Sequence, residues 1–69
     1  MPIIVVNLKE GRTLDQKRAM VEGITKVMTE TVNVPKTSVR IIINEMQNEH
    51  FAIAGTLVCD DPSKQLKKD

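Results

Sequence analysis

The stretch Pro2-Ile3-Ile4-Val5-Val6-Asn7-Leu8 constrains the fold more than any other part of the chain. Four consecutive β-branched apolar residues suit a strand buried on both faces, as in a parallel sheet, better than a half-exposed alternating strand. Proline is tolerated at the first residue of such a strand, where no preceding ladder bond is lost. Parallel strands need a crossover, and the next segment supplies one. Lys9-Glu10-Gly11-Arg12 breaks the apolar run as a loop, and Thr13 with Gln16 three residues on forms a capping-box signature.

From there Leu14, Met20, Val21, Ile24, Val27, Met28 and Val32 recur at helical spacing, with Asp15, Arg18, Glu22, Lys26 and Glu30 on the other side. Lys17 falls inside the apolar stripe, from which its long stem is expected to snorkel to solvent. Gly23 sits mid-helix on the polar side, where the pattern does not call for it. Pro35 cannot continue a helix and disfavours the helical conformation at Val34, so the helix is expected to end near residues 32–33.

A second strand is expected over residues 38–45, with Val39, Ile41 and Ile43 on one face and Arg40, Ile42 and Asn44 on the other. Strand, helix, strand is a βαβ unit with a right-handed crossover. The fold class is α/β (α+β in some schemes): one βαβ unit with a short C-terminal hairpin. Residues 51–54 and 56–59 form that hairpin, turning at Gly55 and able to reach a neighbouring subunit. One domain is expected over residues 1–59, followed by a polar, mobile tail over 60–69.

A chain of 69 residues buries only about 60% of the surface its unfolded form exposes and needs a further source of stability. Its single cysteine, Cys59, closes no internal disulfide, and His50 has no partner at metal-binding spacing. Self-association remains, and Ile42, on the face the helix does not cover, calls for it. Ten Lys+Arg against nine Asp+Glu leave no broad basic field, and Phe51 is the only aromatic. Nucleic acid is therefore not an expected partner. No apolar run reaches the ~18 residues of a membrane span, and the N-terminus lacks signal-peptide character, so a cytoplasmic protein is expected.

Pro2 carries the most specific chemistry. A proline at position two favours removal of Met1, which leaves a free secondary amine at the end of an apolar run. While Met1 remains, the same nitrogen is a planar amide whose lone pair is tied up in resonance. Desolvation and nearby cations disfavour the charged amine and lower its pKa, toward the neutral range where a general base works best. Arg12 lies in the loop before the helix, and Arg40 lies among isoleucines and valines, where it must find an anion or reach solvent. Each guanidinium suits bidentate recognition of a carboxylate, so two at opposite ends of an apolar pocket select a dicarboxylate. Phe51 is a candidate wall for that pocket. His50 reads as a bystander, Cys59 as a packing residue, and Lys64, Lys67 and Lys68 as solvated.

Pro2, Glu10-Gly11-Arg12, Ser38-Val39-Arg40 and His50-Phe51, in this order within a βαβ chain of this length, resemble the 4-oxalocrotonate tautomerase family from Pro2 to about Val58. The resemblance implies a cofactor-independent, metal-free keto–enol tautomerase of aromatic catabolism. Its processed Pro2 would take a proton from a 2-hydroxydienoate and return it to a distant carbon. By position, Arg12 would bind the remote carboxylate and draw electron density toward it. Arg40 would hold the 2-hydroxy carboxylate end from an adjacent subunit, and Phe51 would keep the site apolar. The small subunits of that family assemble as homohexamers, trimers of dimers. This chain departs from the family at Ala52 and Ala54, where glycines are common, and at Lys9, where an apolar residue is common.

Two other readings start from the same residues. A superfamily relative that hydrates or dehalogenates unsaturated acids would add a carboxylate to activate water, with Glu10, Glu45 and Glu49 as candidates. A non-enzymatic oligomeric module would retain Met1 and use its surface for binding.

Overall fold

The computed structural model describes residues 1–64. Strand β1 (Ile3–Lys9) leads into helix α1 (Leu14–Thr31), a 3₁₀ turn at Lys36–Ser38 and strand β2 (Arg40–Met46). A second 3₁₀ turn, Asn48–His50, precedes the hairpin of β3 (Ala52–Ile53) and β4 (Thr56–Leu57). The chain then closes through 3₁₀ turns at Val58–Asp60 and Pro62–Lys64. The tail expected over 60–69 is thus described as far as Lys64, and residues 65–69 lie outside the described residues.

β1 and β2 pair in parallel, Ile3 with Arg40 through Lys9 with Met46, and the backbone N–H of Glu10 adds a bond to the Met46 carbonyl at 2.8 Å. β2 begins two residues later than expected because Ser38 and Val39 donate back to Pro35 and Lys36 and close the 3₁₀ turn first. Both halves of the capping box form: the Gln16 N–H donates to Thr13 Oγ1 at 3.1 Å, and the Thr13 N–H to Gln16 Oε1 at 2.9 Å. These bonds satisfy donors that the first helical turn otherwise leaves unpaired. At the other end Val32 caps the helix through Met28, and Asn33 turns the chain with φ 62° ahead of Pro35.

α1 lies on the sheet face that carries Leu8 and Glu45. Lys17 does not snorkel to solvent as expected; its ammonium bonds the Glu45 carboxylate and ties helix to strand. The opposite face of the sheet is open, so β1 is covered on one face only within a single chain. There Ile3, Val5 and Ile42 are 61%, 51% and 49% exposed, beside an Asn44–Asn7 side-chain hydrogen bond of 3.2 Å.

The hairpin is shorter than expected. Ala54 and Gly55 both have positive φ, 52° and 84°, as a two-residue type I′ turn requires. Val58 and Cys59 are not extended: the Val58 N–H still bonds the carbonyl of Phe51, opposite it in the hairpin register, at 2.8 Å, but the chain then turns into 3₁₀, closed by the Asp61 N–H on the Val58 carbonyl at 3.1 Å. Val58 is in consequence the one hydrophobic residue buried among those described. Cys59, expected to pack, is exposed. Beyond it, Ser63 donates its N–H and hydroxyl to Asp61, which holds that carboxyl below its usual range, and the Lys9 ammonium bonds the Lys64 carbonyl. The Cα radius of gyration, 15.1 Å, exceeds the ~11 Å of a compact chain of this length.

Candidate active site

Pro2 stands half-buried at the mouth of β1, with the exposed Met1 before it. Its carbonyl accepts the Arg40 N–H at 3.0 Å, and Arg40 is the register partner of Ile3. Pro2 and Arg40 are therefore neighbours at one end of the sheet. The exposed Arg40 guanidinium donates to the Thr37 carbonyl at 2.6 Å, which anchors it to the turn before β2. With Met1 in place the Pro2 nitrogen is a planar amide and takes no proton.

Arg12 lies at the other end of β1. After the bond from Glu10 to Met46 the chain turns at Gly11, whose φ of 116° is one that residues with a Cβ rarely adopt. Arg12 then lines a cleft of about 180 Å³ with Leu8, Gln16, Lys17 and Met20. Lys17 is neutralised there by Glu45, whereas neither Arg12 nor Arg40 has a carboxylate partner among the described residues. The seven residues of β1 separate Arg12 from Pro2 by roughly 23 Å, at ~3.3 Å per residue. Phe51 stands half-buried at the foot of the hairpin, where its carbonyl clamps Val58. The single chain thus places its own Arg40 beside Pro2, where the resemblance implies an Arg40 from an adjacent subunit, and leaves Arg12 apart.

Of the carboxylates considered for water activation, Glu45 is engaged by Lys17, Glu49 faces His50 at 3.7 Å, and Glu10 is exposed. Cys59 donates weakly to Asp60 at 3.8 Å; desolvation and the Asp60 charge push its thiol pKa up, away from thiolate reactivity. The Lys17–Glu45 pair escaped the sequence reading because 28 positions separate its members. The one hint was a lysine inside an apolar stripe.

A strand that opens on proline, a crossover helix and a parallel partner strand with an arginine beside that proline define a small βαβ enzyme subunit. The chain belongs to the 4-oxalocrotonate tautomerase family: the family model described as tautomerase enzyme matches residues 2–61. It is an isomerase of the keto–enol tautomerase class. It is 38% identical over 60 residues to the 2-hydroxymuconate tautomerase of Bacillus subtilis strain 168, covering 87% of this chain and 97% of that one. A solved structure of a 4-oxalocrotonate tautomerase isozyme from Methylibium petroleiphilum is 48% identical, with a TM-score of 0.80 over 84% of this chain and 91% of that one. A structure solved for the mechanistic analysis of trans-3-chloroacrylic acid dehalogenase activity is 30% identical, with a TM-score of 0.71 over 81% of this chain and 97% of that one.

Proposed function

We propose that the protein converts a 2-hydroxymuconate-like 2-hydroxydienoate dicarboxylate to its α,β-unsaturated ketone without a cofactor, in the cytoplasm, with Pro2 as general base. The observation that carries this reading is the placement of Pro2 at the end of an apolar strand, beside an arginine with no carboxylate partner among the described residues. Once Met1 is removed, the amine takes the proton of the 2-hydroxyl. The electron pair moves through the diene as the 2-keto group forms, and the same proton returns from the prolinium to the distant carbon. No atom is gained or lost.

The guanidiniums have separate tasks in this scheme. Arg40 holds the 2-hydroxy carboxylate end. Arg12 binds the remote carboxylate and stabilises the negative charge that moves toward it, which is where fixed cations lower a barrier most. Phe51 keeps the cleft apolar, so that desolvation favours the neutral amine. A small dicarboxylate is far shorter than β1, so a cleft holding both Pro2 and Arg12 is assembled from more than one chain. The exposed apolar sheet face supports the same conclusion, and a homohexamer, a trimer of dimers, is the proposed form.

The hydratase or dehalogenase reading draws on the 30% identical relative. Against it stands the engagement of Glu45 by Lys17. The test is ultraviolet-monitored ketonisation of 2-hydroxymuconate by protein whose mass confirms loss of Met1. Pro2→Ala is expected to lower kcat by about 10²-fold or more, within the range general-base catalysis supplies, with the fold intact. Unchanged turnover would remove Pro2 from the mechanism.

A further inference from the structure

The cleft that Arg12 lines with Leu8, Gln16, Lys17 and Met20 lies at the carboxyl ends of the two parallel strands, beside the first two turns of α1. Sheets of this kind bind their ligands beyond the carboxyl ends of the strands. Two cations line the cleft, and they are in different states. Arg12 has no carboxylate partner among the described residues. The Lys17 ammonium bonds the carboxylate of Glu45, which is the register partner of Leu8 on the neighbouring strand.

This ion pair is unlike the others on the helix. Arg18–Asp15 and Lys26–Glu30 join positions three and four apart and are largely exposed, and such pairs contribute little. Lys17 and Glu45 lie 28 positions apart, and their side chains are only 23% and 36% exposed. Position 17 falls in the apolar stripe of α1, where a methionine would cover the sheet at least as well as an ion pair does. Packing does not call for the pair. The charge of the cleft does.

We propose that Glu45 is a positioning residue for this cleft: by neutralising Lys17 it leaves Arg12 as the one uncompensated cation among the described residues that line it, and so fixes where a substrate carboxylate seats. The proposal rests on the reading of Arg12 as the residue that binds the remote carboxylate. Arg12 grips a carboxylate through a planar fork with two parallel bonds. An unpaired ammonium in the same cleft would compete for that carboxylate as a point charge and draw it off the fork. Such binding tightens the ground state without an equal gain in the transition state. Glu45 removes the competitor and leaves the aliphatic stem of Lys17 as part of the wall.

The kinetics of 2-hydroxymuconate ketonisation test this role. Glu45→Gln keeps the shape of the side chain and frees the Lys17 charge. It is expected to lower KM by about threefold or more at low salt and to lower kcat with it. The KM effect is expected to fade in high salt. Lys17→Met leaves Glu45 uncompensated beside Arg12 and is expected to raise KM by a similar factor. Lys17→Met combined with Glu45→Gln removes both charges and is expected to restore wild-type KM and kcat. These last two variants decide the matter if Glu45→Gln does not fold. In an Arg12→Ala background, Glu45→Gln is expected to recover part of the lost affinity through Lys17. A KM in Glu45→Gln equal to or above that of the wild type, or a double variant as impaired as the single ones, would overturn the proposal; the pair would then only fasten α1 to β2. Arg12→Ala with an unchanged KM would instead overturn the reading on which the proposal rests.

Discussion

On one face of the β1–β2 sheet, Ile4, Val6, Leu8, Ile41 and Ile43 lie half-buried on the side of α1. On the other, Ile3, Val5 and Ile42 stand open, interrupted by the Asn44–Asn7 pair, Arg40 and Lys9. The two faces are made of the same aliphatic residue types. They differ in what the described residues supply to cover them: an amphipathic helix for one, nothing for the other. Apolar burial is the dominant favourable term in folding, so the open face adds to stability only if something covers it. The candidate site divides the same way, with Pro2 and Arg40 at one end of β1 and Arg12 at the other.

The largest effect is expected from a charge placed on the open face. Ile42→Asp puts a carboxylate where another subunit is expected to cover the sheet, and burying an unpaired charge costs several kcal/mol. Assembly and turnover should both collapse, read by sedimentation and by the ketonisation assay. If the open face stays in water, the substitution is a surface change worth no more than about 0.5 kcal/mol, and the contrast between the two faces dissolves.

A smaller effect is expected from the hairpin, which lies apart from both faces. Ala54 holds φ 52°, a left-handed conformation that costs a residue with a Cβ about 1–2 kcal/mol. Ala54→Gly should raise stability by up to about 1 kcal/mol after the entropy of the added glycine is deducted, measured by thermal or chemical denaturation. A destabilised Ala54→Gly protein would show that neighbours of the turn, and not backbone strain, set its energy.

The helix-covered half of this comparison was legible in the sequence. The β-branched run, the Thr13–Gln16 cap, the helical stripe and the alternation around Ile41 and Ile43 are local patterns, and each formed within two residues of its expected limits. What failed depended on contacts the local pattern does not carry. Val58 turned out of the strand where the Asp61 N–H, three residues on, closes on its carbonyl. Lys17 found Glu45 across the fold. Cys59 has the composition of a packing residue but lies just past the turn that buries Val58. The open face read as a doubly buried strand because periodicity reports that a side chain is apolar, not which chain covers it. Pro2, Arg12 and Arg40 could be picked out as chemistry-bearing residues for the same local reasons. Their separation along β1 needed the register of the sheet.

The most direct test mixes two defective subunits. Pro2→Ala and Arg12→Ala proteins, each inactive alone, are unfolded, combined and refolded together, and ketonisation of 2-hydroxymuconate is followed. If a working cleft draws Pro2 from one chain and Arg12 from another, some mixed assemblies contain intact clefts, and activity returns to a substantial fraction of wild type. If both residues of a cleft come from one chain, every cleft carries a defect and the mixture stays as inactive as its components, which would contradict a site shared between subunits.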